Sequence, residues 1–272
     1  MCIRDRAGTV SAVSSTTGLD VTLDAALRSV TKLGPQNLTY PLAGTGPAPA
    51  ATGKAPNGTT YPVGATVSKD LINQALAAAT EAGVLNATLD SRTLPILTSL
   101  PTLLDLLGGG VTTLKDLRIR TQATSAPTLA LSPGGAALGT ASLKGFAVIV
   151  DVKTEGNAAW QPLVKVELDA AASIGLTPVG GSFLRPTLAA WPTVKLLKAT
   201  DLSSGFDVPA DLLQAVWAII PSDILPLVNS LLPAVPIPRI GPYQLTVGAI
   251  WVTNTSGNFL SVAGNLTRTP GV

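Results

Sequence analysis

The 272-residue chain contains no histidine, and its single cysteine is the second residue. Without an imidazole there is no Ser-His-Asp arrangement, no general base poised near neutral pH, and none of the commonest transition-metal ligand. One cysteine excludes an internal disulfide and a thiolate metal cluster. Charged residues are 12% of the chain, about half the usual share, and aromatics are 4%. With 18 basic against 16 acidic residues there is no polycationic footprint for nucleic acid. Nucleotide motifs are missing too, because the GGG at 108–110 lacks the Lys and Ser/Thr that a phosphate cradle requires. Glu167 and Asp169 stand two apart on the outward side of a strand, where solvation leaves a carboxylate pair without the split pKa values that acid/base catalysis needs. These absences point away from an enzyme and from any metal or organic cofactor.

What remains is oil. Hydrophobic residues are 46% of the chain, carried by Leu, Val, Ile and Ala, and mean hydropathy is +0.41. Disorder is excluded by that load. The opening MCIRDR is foreign in composition, and residues 1–5 match one reading frame of a common transposase sequencing adapter; residues 1–6 are therefore read as an adapter-derived artefact. The native remainder is close to neutral, and on that reading its own beginning is expected upstream.

Residues 7–33 carry one alternating run, LDVTLDAAL, and are read as the remnant of a preceding barrel or of a central sheet. Residues 34–67, rich in Pro, Gly, Ala and Thr, read as a connector. Residues 68–269 form the main domain. SKDLINQALAAATEAG predicts a helix with Ser68 as N-cap, Asp70 in its first turn and Gly83 at its end. Leu71, Ala75, Ala78 and Ala82 make one stripe, with Ile72, Leu76 and Ala79 beside it. VLNATL reads as a strand, and LPILTSLPTLLDLLGGG as a Pro-broken short helix or loop. From 114 to 200 the chain is strand-rich, in long antiparallel strands that imply a strongly twisted sheet or barrel. In VKVELD the inward set is Val164, Val166 and Leu168. Arg118 and Arg120 share a strand face, as a pair holding a phosphate would, although a solvated polar face is the simpler account. The chain closes on a hairpin, YQLTVGAIWVTN and NFLSVAGNLTRT.

The oiliest segment, AVWAIIPSDILPLVNSLL at 215–232, is interrupted by Pro221, Asp223, Pro226 and Asn229. A clean span needs about 18–20 uninterrupted apolar residues, so this segment reads as kinked helix with apolar surface around most of its axis. DLINQALAAATEAGVLNATL, then IRTQATSAPTLALSPGGAAL, GFAVIV, FDVPADLLQAVWAIIPSDILPLVNSLL, VPIP and GNFLSVAGNL together resemble, in order and spacing, the C-terminal half of the family of bactericidal permeability-increasing protein, lipopolysaccharide-binding protein and the plasma lipid transfer proteins. The likeness runs from about residue 66 to 266. It implies an α+β fold of tubular lipid-binding type, a long twisted antiparallel sheet wrapped around two helices that begin at Ser68 and Pro209. It also implies a secreted protein, antibacterial in some members, that meets membrane surfaces transiently and takes the acyl chains of a phospholipid or other lipid, with lipid A of lipopolysaccharide as an extrapolation. The family's basic N-terminal barrel is the implied missing partner.

Candidates for the lipid lining are Leu71, Ala75, Ala78, Phe146, Val148, Val216, Ile220, Val247 and Ile250. Each of them serves equally well as plain core. A structural or interaction β-domain with a filled core is the alternative. An outer-membrane barrel is disfavoured by two helices and by only four Trp and three Tyr. Five N-x-[ST] sites, at Asn37, Asn57, Asn86, Asn254 and Asn265, fit secretion only slightly in a chain rich in Thr and Ser.

Overall fold

A hairpin stands at the start of the chain, where β1 (Ile3–Ser15) pairs with β2 (Gly18–Ser29), and only its second strand shows alternation of apolar and polar residues. The structure is a computed structural model that describes residues 3–15, 18–35, 38, 49, 53–90, 92, 114–134, 137–154, 159–180, 183–190, 192–202, 235–236, 239–240, 242–253 and 258–268. The strand β2 follows from LDVTLDAAL. Its partner β1 does not, because a run of Ala, Gly, Thr, Val and Ser has no clear period, and pairing imposes the strand; residues 3–6 continue it.

β3 (Val63–Ser68) begins inside the stretch read as connector and runs straight into α1 (Lys69–Glu81). Ser68 caps the helix, its side chain accepting from Leu71 N at 3.1 Å. At the other end Gly83 (φ +81) closes the turn, with Gly83 N donating to Thr80 O and Val84 N to Ala79 O. This double bond is the glycine stop that the sequence predicts.

The remaining strands are β4 (Thr88–Asp90), β5 (Leu114–Gln122), β6 (Thr128–Leu131), β7 (Gly139–Thr154), β8 (Gln161–Val179), β9 (Phe183–Leu188), β10 (Thr193–Asp201), β11 (Val235–Pro236), β12 (Arg239–Ile240), β13 (Tyr243–Thr253) and β14 (Phe259–Arg268). All pairings among the described residues are antiparallel. An eight-stranded sheet runs β11-β9-β8-β7-β5-β4, with β10 added to β8 and β6 to β7; a four-stranded sheet runs β12-β13-β14-β3. The predicted VLNATL strand shrinks to β4, and β9 is a strand that the sequence pattern does not announce, since Pro186 sits within it. That proline is tolerated because β11 covers only Leu184 and Phe183, leaving no neighbour that needs the missing N–H.

Two strands shape the whole. β7 has 16 residues and β8 has 19, against a usual five or six or so. Each changes partner along its length: β7 meets β6 at 139–142 and β5 at 147–154, while β8 meets β10 at 164–171 and β9 at 174–179. On β7 the handover coincides with a bulge between Leu143 and Phe146. Gly145 sits there at φ +62, its N–H given to Asp169 Oδ1 at 2.9 Å and its carbonyl accepting from Thr124 Oγ1 at 2.6 Å. A Cβ at this position would lie 2.6 Å from the same hydroxyl, so both conformation and space demand glycine. Bulges of this kind bend and over-twist a sheet, and the result is a strongly curled half-barrel. The α+β class and the twisted antiparallel sheet around a helix are thus as the sequence implies. The helix expected from Pro209 and the segment 95–110 lie outside the described residues.

Candidate functional site

Side chains alternate across a strand, so the register of the eight-stranded sheet sorts its two faces. Leu117 lies opposite Val152, and Ile119, Val150 and Val164 form one row across three strands. Thr121, Val148 and Val166 form the next, and Phe146 stands opposite Leu168. This face is apolar almost throughout. Its margins are buried at Leu117, Val152, Val164 and Leu168, whereas Ile119, Phe146, Val148, Val150 and Val166 in the middle remain half-buried. Phe146 and Val148 both lie half-buried on this apolar face, and the inward set Val164, Val166 and Leu168 shares it, as the alternation predicts.

Helix α1 is turned the other way from its sequence pattern. Its buried residues are Asn73, Gln74, Ala77, Ala78, Thr80 and Glu81, and four of the six are polar. The opposite side, which the 100° step of a helix assigns to Leu71, Ile72, Ala75, Leu76, Ala79 and Ala82, is only half-buried and wholly apolar. The reason lies in what α1 docks against. It touches β2, β3 and β6, one strand from each sheet, and strand edges present bare backbone groups. Asn73 mimics a neighbouring strand, accepting from Leu129 N at 2.7 Å and donating to Leu129 O at 3.2 Å. Gln74 Oε1 accepts from Leu27 N at 3.0 Å. Polar side chains on the packed side satisfy those edges, and the apolar side is left open. Leu71 and Ala75 fall on the open side; Ala78, with no exposed surface, fills the packed one.

The four-stranded sheet contributes a small core in which Leu245, Val247 and Val262 pack with Val63, Ile250 and, from the larger sheet, Leu184. Val247 is spent in that core. Ile250 also reaches a half-open cleft of about 830 Å³ between the two sheets. The β6–β7 turn (Ser132, Pro133, Gly134, Leu138), the ends of β8 and β9 (Gly175, Thr177, Thr187) and β13 (Ile250, Trp251, Val252) form its walls. That size lies within the range of small-molecule sites, about 300–1,000 Å³. Val216 and Ile220 lie outside the described residues. Phe146 and Val148 are brought together on one sheet, and Val247 and Ile250 on another.

The outer face of the large sheet is charged, and there Arg118 and Arg120 are neither a phosphate grip nor bare. Both close on Asp151, whose side chain is 1% exposed: Arg118 Nη2 lies 2.7 Å from Oδ2, and Arg120 bonds Oδ2 through Nε at 2.6 Å and Oδ1 through Nη2 at 2.7 Å. Burial pushes the Asp151 carboxyl up, but the hydrogen bonds and charges of Arg120 and Arg118 outweigh it and hold it below the ordinary carboxylate value. The Asp151 hydrogen bond raises Arg120 in turn. Arg118 and Lys153 each lie 4.6 Å from the centre of the Trp160 ring. Further along, Lys165 pairs with Glu167 at 2.8 Å and holds that carboxyl down. Asp151 and Trp160 are not announced by the sequence because their arginine partners are 31 to 42 residues away; the register Arg118↔Asp151 is what joins them.

Among the described residues no group of His, Cys, Asp or Glu could hold a metal ion, and no helix is long and apolar enough to cross a membrane. The fold and its surfaces define a class: an α+β curled antiparallel sheet with apolar faces left partly uncovered among the described residues. Compared with known proteins, the chain matches no family model and no curated protein sequence. Among solved structures it is similar to a crystal structure of lipopolysaccharide binding protein, with a TM-score of 0.42 and 16% identity over 92% of this chain and 50% of that one. The chain spans about half the length of that protein.

Proposed function

We propose that the protein binds and transfers lipid without catalysis, holding the acyl chains of a phospholipid or related lipid on the apolar inner surfaces of the half-barrel. The observation that carries this is the inverted helix: α1 buries Asn73, Gln74, Thr80 and Glu81 and leaves Leu71, Ile72, Ala75 and Leu76 half open. An apolar helix side with no protein packed fully over it suits an apolar ligand. The half-buried middle of the sheet, Ile119, Phe146, Val148 and Val150, supports the same reading. The lining we assign comprises Leu71, Ala75, Phe146, Val148 and Ile250; Val216 and Ile220, outside the described residues, are carried with them from the sequence alone.

Each acyl CH₂ taken from water contributes about 0.8 kcal/mol. A chain of a dozen carbons thus gains roughly 10 kcal/mol before the costs of association. The protein would meet membrane surfaces transiently, and we place it outside the cell. Lipid A falls within the same ligand class. Incubation with vesicles carrying a self-quenched fluorescent phospholipid tests the proposal: extraction raises the fluorescence in proportion to protein, with lipid A as competitor. No rise at any protein concentration would leave the filled β-domain as the better account.

A further inference from the structure

Among the described cations of the large sheet, one has a donor buried without a partner. Arg118 and Arg120 close on Asp151, and Lys165 on Glu167. Arg185 on β9 forms no ion pair with any described residue, and its Nε is buried with no hydrogen-bond partner among them. Buried guanidinium donors without acceptors are rare, and each calls for an acceptor from elsewhere.

Register shows where this one stands. Thr177 of β8 is the cross-strand neighbour of Arg185, and Gly175 is that of Thr187. Cross-strand neighbours share a face with Cβ atoms about 4.5–5.5 Å apart, so Arg185, Thr177 and Thr187 point to one side of the sheet. Thr177 and Thr187 line the cleft of about 830 Å³; Arg185 is not itself part of the lining, but stands across from Thr177 and two residues before Thr187. No described lining residue carries a charge, and Leu138, Ile250 and Val252 supply the apolar part of the walls. A cation next to two hydroxyls that line an uncharged cleft with apolar walls matches an amphiphile with an oxyanion head.

We infer that this cleft binds an acyl or alkyl chain bearing a carboxylate or phosphate head, with Arg185 as the counter-ion of the head, Thr177 and Thr187 as its hydroxyl donors, and Leu138, Ile250 and Val252 against the chain. The assignment rests on the lipid-binding proposal and narrows it, since neutral lipids gain nothing from Arg185. A charge-assisted hydrogen bond of this kind corresponds to a preference of about tenfold or more over an uncharged head.

Calorimetric titration of the full chain with dodecanoate, dodecyl phosphate and dodecanol, each below its micelle concentration, tests it. The expected result is that both anions bind about tenfold tighter than the alcohol, and whichever anion is tighter identifies the head. Arg185→Gln brings the anions to within about twofold of the alcohol and leaves the alcohol unchanged; Arg185→Lys keeps part of the preference. Thermal unfolding of Arg185→Gln should match the wild type, because no intramolecular bond is removed. Persistence of the anion preference in Arg185→Gln, or equal binding of all three heads by the wild type, would overturn the assignment and leave lipid binding standing. Failure of all three ligands to bind would remove both.

Discussion

Enlarging α1 on its two sides, at Ala75 and at Ala78, gives opposite results if the helix is inverted as described. Ala78 has no exposed surface and lies on the packed side, whereas Ala75 lies on the half-open apolar side. Leucine and alanine have similar helix propensities, so Ala75→Leu and Ala78→Leu differ mainly in what the added carbons meet. Three extra carbons forced into the packed side cost about 1–3 kcal/mol. In a domain of this size each kcal/mol lowers the melting temperature by roughly 2–4 °C, so Ala78→Leu melts several degrees early. The same carbons on the open side find room, and Ala75→Leu stays within about 0.5 kcal/mol of the wild type. They also take space that three lipid methylenes would use, forfeiting about 2 kcal/mol of binding, or roughly thirtyfold in Kd. Differential scanning calorimetry and fluorescent-phospholipid titration on the two variants read both quantities. Equal destabilisation by the two substitutions, with lipid uptake unchanged in Ala75→Leu, would refute the reasoning.

Other perturbations probe the supports of the site. Asn73→Leu removes both bonds to Leu129 and leaves a buried strand edge unsatisfied, so urea unfolding should show a loss of about 2 kcal/mol. Asp151→Asn separates two arginines from their shared carboxylate; because their side chains are 24% and 40% exposed and can rehydrate, the loss is about 1–3 kcal/mol, less than for a fully buried pair. The folded-state pKa of Asp151 is depressed, so its contribution is fully present above the ordinary carboxylate value of about 3.9 and is lost as pH falls from there through the folded value. Chemical denaturation across that acid range should show stability falling with pH in the wild type, and a shallower fall in Asp151→Asn. Gly145→Ala should destabilise the bulge by over 1 kcal/mol, measured by thermal melting, since φ +62 and the Thr124 hydroxyl both oppose a Cβ.

Local signals were legible where one element determines itself. Ser68 and Gly83 mark the ends of α1, the alternation in VKVELD orients β8, and the final hairpin is plain from its two runs and polar turn. Pairing between distant segments was not legible. β1 lacks a period and β9 contains Pro186, so each becomes a strand only through its neighbours. The side of α1 that packs could not be read either, because the stripe Leu71, Ala75, Ala78 suggests that apolar means buried. What faces α1 is the backbone edges of β2 and β6, and these call for amides such as Asn73 and Gln74. Arg118 and Arg120 were visible as a pair, but the carboxylate that neutralises them lies 31 residues or more along the chain. The cleft beside Arg185 is assembled from five separate segments, and nothing local in any of them announces it.

Lipid occupancy of the protein itself is the most direct test. Native mass spectrometry of the purified chain, followed by organic extraction, should find acyl lipid at about one molecule per chain, retained in wild type and reduced in Ala75→Leu. Protein that carries no lipid when purified, and takes up none after incubation with vesicles, would contradict the account.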